Sequence, residues 1–119
     1  MSKINLRLKL KSEEENLDLN IKGIKNNNKV IYKENNVNVT LIINKNTIEM
    51  NRSCNEYNIN LVFEKDKTTM STYKVFGASK EFLLETKTNK LQISNKKITI
   101  DYDLEGNIFN FSLDMEEEW

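Results

Sequence analysis

The sequence predicts an all-β protein, a closed or nearly closed antiparallel β-barrel of about eight to ten strands. Two observations lead there. Apolar residues recur at every second position along most of the chain, and Asn, Asp and Gly interrupt that alternation at short, regular intervals. Helix finds no matching pattern: Ala78 is the one alanine, and no segment sustains an apolar spacing of three and four. No proline is present to block a ladder hydrogen bond. The 119 residues suit a single domain, residues 1–119. Strands joined by such short turns run antiparallel.

Ile4, Leu6, Leu8 and Leu10 alternate with Lys3, Asn5, Arg7, Lys9 and Lys11, which defines a first strand with one buried face. Leu17, Leu19 and Ile21 repeat the pattern. Gly23 stands where the apolar parity switches to Ile24, which predicts a bulge or sharp bend. Val30–Tyr32 is a short third strand between two asparagine turns, Asn26-Asn27-Asn28 and Asn35-Asn36, since Asn tolerates left-handed backbone angles. Val37, Val39, Leu41 and Ile43 mark a fourth strand, and Ile48, Met50 and Arg52 a fifth beyond the break at Asn44-Lys45-Asn46. Tyr57, Ile59, Leu61 and Phe63 form the sixth, followed by the charged turn Glu64–Lys67. The seventh is the β-branched and aromatic stretch Thr69–Phe76, ended by Gly77. Ser79–Leu84 has room for a helical turn at most. Phe82, Leu84, Thr86 and Thr88 share a face of the eighth strand. Ile98, Ile100, Tyr102 and Leu104 make the ninth, and Phe109, Phe111, Leu113 and Met115 the tenth, with Glu105-Gly106-Asn107 as the turn between them. The first and last strands are expected to pair and close the barrel, the outward Lys3, Arg7, Lys9 and Lys11 facing Asp114, Glu116 and Glu118.

The chemistry is defined as much by what is missing. Lysine plus arginine and aspartate plus glutamate each number 18, so the net charge is zero and exerts no long-range pull on nucleic acid or an anionic membrane. The basic stripe of the first strand is the one feature that favours RNA, and the zero net charge counts against it. Apolar runs such as Leu41-Ile42-Ile43 are too short to span a bilayer. Cys54 is the single cysteine, so no internal disulfide forms; with no signal-like apolar stretch after Met1, a cytoplasmic location is expected. There is no histidine, which removes Ser-His-Asp and Cys-His mechanisms and the commonest metal ligand. Gly23, Gly77 and Gly106 are isolated, so no phosphate loop exists. Asp101 and Asp103 lie on the outward face of their strand, and Glu13-Glu14-Glu15 reads as a solvated turn. The expectation is a protein that is not an enzyme and uses no metal or cofactor.

Arg52 shares the inward parity of Ile48 and Met50. A guanidinium on an inward face needs partners, because an unpaired buried charge is expensive. It either caps the barrel end or binds a ligand's anionic group through paired hydrogen bonds. Tyr57, Tyr73, Tyr102 and Thr86 fall on the same inward faces and complete a candidate site, polar tips on a mostly apolar wall.

Met50-Asn51-Arg52-Ser53, Phe63, Tyr73 through Phe76-Gly77, Thr86-Lys87 and Ile98-Thr99-Ile100-Asp101-Tyr102-Asp103-Leu104 follow one another in an order that resembles the YwiB-like family of small bacterial proteins of unknown function. The resemblance is best from Ile48 to Met115. Cys54 departs from it, where the family pattern has a glycine. It implies a lipocalin/calycin-like barrel, and it implies no activity, since fold alone does not transfer function. The expected function is the binding of a small, partly apolar anionic ligand in the barrel mouth. The alternative is a non-enzymatic module with a filled interior that binds a protein partner. Neither a membrane nor nucleic acid is expected as a partner.

Overall fold

The structure, a computed structural model, describes residues 2–78 and 80–117. It contains strands β1 (Ser2–Lys11), β2 (Asn16–Asn26), β3 (Lys29–Glu34), β4 (Val37–Ile43), β5 (Thr47–Ser53), β6 (Tyr57–Glu64), β7 (Thr68–Val75), β8 (Lys80–Ile93), β9 (Lys97–Leu104) and β10 (Asn107–Glu117). Each pairs antiparallel with the next, and β10 pairs with β1, so the sheet closes into a barrel. Among the described residues there is no helix. Asn27 and Asn35 take positive φ angles of 55° and 54° in their turns, as asparagine tolerates. The turns after β2, β4, β6 and β8 lie at one end of the barrel. Those after β1, β3, β5, β7 and β9 lie at the other, here called the mouth.

Alternation decides the inside. Ile4, Leu6 and Leu8, Val39 and Leu41, Ile48 and Met50, Leu61 and Phe63, Ile98 and Ile100, and Phe111 and Leu113 form one buried cluster. The middle of the barrel is therefore filled by its own side chains, as a small barrel permits.

Two local expectations are refined. Gly23 makes no bulge: it pairs in continuous register with Ile4 and Tyr32, and Ile24 simply faces outward. Its role is close approach. A Cβ there would sit 2.7 Å from the Leu6 side chain and 2.8 Å from the Ile31 carbonyl oxygen. Towards the mouth from Gly23, β2 is no longer paired with β3. The register shift falls instead between Thr88 and Lys90, where Asn89 is the extra residue. That bulge carries the inward parity from Thr86 and Thr88 to Leu91, and it lets β8 run on as one strand to Ile93. Of Ser79–Leu84, which had room for a helical turn at most, Lys80–Leu84 is strand, paired with β7 along its length, and Ser79 lies outside the described residues.

Closure by β1 and β10 holds and sets Arg7 opposite Asp114, whose charge favours the guanidinium, although the ion pairs that both residues make are with other strands. Arg7 stands opposite Asp114 in the ladder, yet its guanidinium hydrogen-bonds Asp18 of β2 at 3.3 and 3.2 Å. Asp114 meets Lys97 of β9 at 3.7 Å. The partners taken, Asp18 of β2 by Arg7 and Lys97 of β9 by Asp114, thus lie on the strands flanking the seam. Glu118 lies outside the described residues.

Candidate functional site at the barrel mouth

β5 carries Arg52 inward next to the mouth, opposite Val39 on β4 and Ile59 on β6. Its guanidinium forms an ion pair with the Glu34 carboxylate of β3 through Oε2. Glu34 is inward because it keeps the parity of Val30 and Tyr32, and it is 7% exposed. Burial works against the Arg52 charge, but the hydrogen bond and charge of Glu34 outweigh it and hold the guanidinium pKa above its usual value. The two unlike charges thus stabilise each other in a place where neither is stable alone.

Three tyrosines surround the pair. Tyr32 is 3% exposed, and burial drives its hydroxyl pKa well above the ordinary tyrosine value. Burial also pushes Tyr102 up to about 12. Tyr57, nearer the rim, is raised by burial and then by the neighbouring Cys54 thiol. Arg52 exerts an electrostatic pull on all three, which places them in one cluster. Within it the Tyr32 hydroxyl and Glu34 Oε1 are buried and have no hydrogen-bond partner among the described residues. Such atoms are uncommon in a satisfied interior; the third among the described residues, Thr88 Oγ1, lies on β8.

Aromatic rings line the wall above. Tyr57 and Tyr73 lie 6.1 Å apart between ring centres, and Tyr73 meets Phe82 edge-on at 6.2 Å. On the other flank Tyr102 stacks on Phe109 at 5.1 Å and tilts against Phe63 at 4.7 Å. The rim therefore offers flat apolar surface leading down to a polar floor.

Of the residues expected from the sequence, Arg52, Tyr57 and Tyr102 come together, and Tyr73 joins through Tyr57. Thr86 does not. It is fully buried on β8, and its hydroxyl is engaged by Ser71 Oγ at 2.7 Å and the Leu84 carbonyl at 3.4 Å. Ser71 Oγ also accepts the Val62 N–H at 3.0 Å, and the Thr69 hydroxyl donates to the Val62 carbonyl. These hydroxyls replace ladder bonds where β6 and β7 part after Asn60. Sequence reasoning missed Tyr32 and Glu34. The signal was present, since Glu34 is in phase with Val30 and Tyr32.

Two open concavities lie elsewhere, along β2, β1, β10 and β9. One, of about 1190 Å³, includes Asn5, Arg7, Asn20, Lys22, Asp114 and Glu116. The other, of about 350 Å³, includes Lys9, Lys11, Asn16, Asp18, Thr99 and Asp101. Both mix the two signs of charge. Asp101 and Asp103 serve structure there: Asp101 accepts Asn110 Nδ2 at 2.9 Å, and Asp103 accepts the Gly106 N–H at 2.8 Å. Cys54 sits at the β5–β6 turn and accepts the Glu56 N–H at 3.4 Å. No group of three or more Cys, Asp or Glu that could hold a metal occurs among the described residues, and they contain no helix long and apolar enough to cross a membrane.

The architecture defines a closed ten-stranded antiparallel barrel with a polar cluster at its mouth. Residues 3–111 match the profile of a domain of unknown function, DUF1934, and the chain belongs to that family. The chain is similar to the crystal structure of the ywiB protein from Bacillus subtilis, with 22% identity, 99% of this chain and 93% of that chain covered, and a TM-score of 0.76. That likeness establishes the shared barrel fold. No curated protein matches the chain.

Proposed function

We propose that the protein is a non-catalytic binding barrel whose mouth takes a small, partly apolar molecule with a hydrogen-bonding head. The observation that carries this reading is the pair of buried, unpartnered atoms beside Arg52, the Tyr32 hydroxyl and Glu34 Oε1. One is a donor and the other an acceptor, so a head that both accepts and donates completes the floor. The apolar body then lies against Tyr57, Tyr73 and Phe82. Arg52, its side chain 20% exposed against 8% for Glu34, is the more exposed member of the pair, and the head enters by displacing it. An anionic head would have to compete with Glu34 for Arg52, so a neutral amide or hydroxyl head fits better than the anion that Arg52 alone suggests. The non-catalytic reading rests on the same pair, because the two ionisable groups at the floor engage each other and the sequence has no histidine. The filled middle of the barrel limits the ligand to the mouth.

Native mass spectrometry of the protein purified from its source tests this. The wild-type chain is expected to retain a small mass. The double replacement Glu34→Leu with Arg52→Met removes the pair while keeping its volume, so it stays folded and loses that mass. A wild-type chain carrying nothing, or a double variant that keeps the same mass, contradicts the proposal.

A further inference from the structure

The first half of β8 has a neighbour on one side only. β7 pairs with it from Lys80 to Lys87, while β9 reaches it only from Thr86, opposite Leu104. Glu85 is the next residue served on the β9 side. Its N–H donates to the Glu105 carboxylate at 2.6 Å, and its carbonyl accepts the Glu105 N–H at 3.2 Å. Backbone groups alternate in direction along a strand, so the N–H and C=O of Leu83 and Glu81 point to that same side. No strand among the described residues pairs with them there. Leu83 is 64% exposed and Phe82 45%. An open, apolar edge of this kind is a template for another strand.

We infer that the occupant is the same edge of a second copy, antiparallel and related by a two-fold axis through Phe82. A two-fold axis normal to the sheet keeps inner faces continuous, so it pairs only residues of equal parity. Centred on Phe82, it sets Glu81 of each copy against Leu83 of the other. Those are the residues whose groups are free, and four backbone hydrogen bonds result. Centred on Leu83, it would oppose Glu81 to Glu85, joining like charges and calling on groups that Glu105 already holds. The first register also keeps Glu81 and Glu85 out of direct opposition, and it sets Lys80, whose ammonium lies over the Phe82 ring, opposite Leu84 of the other copy. The row Tyr57, Tyr73, Phe82 continues across the axis into its own image.

The register is tested with single cysteines in a Cys54→Ser background. At Phe82→Cys the two copies' Cα atoms would lie about 4.5 Å apart in a non-hydrogen-bonded pair, within disulfide reach. At Leu83→Cys they are diagonal neighbours at about 7–8 Å, beyond it. Under mild oxidation Phe82→Cys is expected to cross-link at least about tenfold faster than Leu83→Cys. Sedimentation of the wild-type chain at about 0.5 mM, a range suited to a small interface, should show the dimer mass. Leu83→Pro, which removes one edge N–H and is tolerated on an edge strand, should restore the monomer with an unchanged melting temperature. Equal cross-linking at the two positions, or a monomer at every concentration, overturns the inference; a monomer that captures an unrelated extended peptide at this edge overturns it too and assigns the edge to another partner.

Discussion

The flank built from β10, β1 and β2 and the flank built from β6, β7 and β8 are made of the same element and behave differently. On the first, β1 pairs with β2 without interruption from Ser2 to Lys11 and with β10 from Ile4 to Lys11. Apolar residues fill one face, and charges of both signs cover the other. On the second, β6 pairs with β7 only from Tyr57 to Asn60, hydroxyls substitute for backbone below that point, and β8 carries a bulge and a free edge. Strict alternation gives a closed wall with no residue to spare. Where Ser, Thr and Tyr take inward positions, the ladder opens, and the groups that a ligand or a second chain can use lie on that side or at the mouth beside it.

The contrast is sharpest in the cost of losing a side chain. Leu8→Ala on the closed flank leaves a cavity around a residue with no exposure and should cost about 2–5 kcal/mol, read from urea unfolding. Glu34→Ala strands the Arg52 charge and should cost about 3–5 kcal/mol, whereas the paired hydrophobic replacement described above should be near neutral. If Glu34→Ala cost no more than the paired replacement, the mouth pair would not be a buried unit.

Most of the fold was legible because a period of two needs only the identity of every second residue. All ten strands and their antiparallel order follow from it, whereas the β1–β10 closure rests on the opposite charges of the two strands, which do pair. The bulge was not legible, since Thr88, Asn89 and Leu91 show a parity change only once β9 fixes the register. The site was half legible. Arg52 and the tyrosines were marked by parity, but the partner of Arg52 comes from β3, and nothing local to Arg52 says which acid will reach it. Thr86 has the right parity too, yet the neighbour that claims it, Ser71, is set by the β7–β8 register.

Smaller effects sharpen the comparison further. Ser71→Ala deprives the Val62 N–H of its acceptor and Thr86 of its partner, so it should cost about 1–3 kcal/mol, with faster amide exchange at Val62 as the specific sign. Alkaline titration reads the tyrosines. Tyr102 ionises near 10 when unfolded and at about 12 when folded, so its contribution is complete below pH 10 and is lost as pH rises through 12. Urea stability measured across that window should fall, and Tyr102→Phe should flatten part of the fall. Arg7→Ala on the closed flank should leave unfolding unchanged within error, because its pair with Asp18 is half exposed on both sides.

The central claim is that the floor of the mouth is completed by a ligand, and a crystal structure of the protein taken from its source tests it most directly. The account predicts density larger than a water molecule, bonded to the Tyr32 hydroxyl and Glu34 Oε1 and extending past Arg52 toward Tyr57 and Tyr73. A single bridging water there, or a direct bond between Tyr32 and Glu34 beneath an unmoved Arg52, would contradict it.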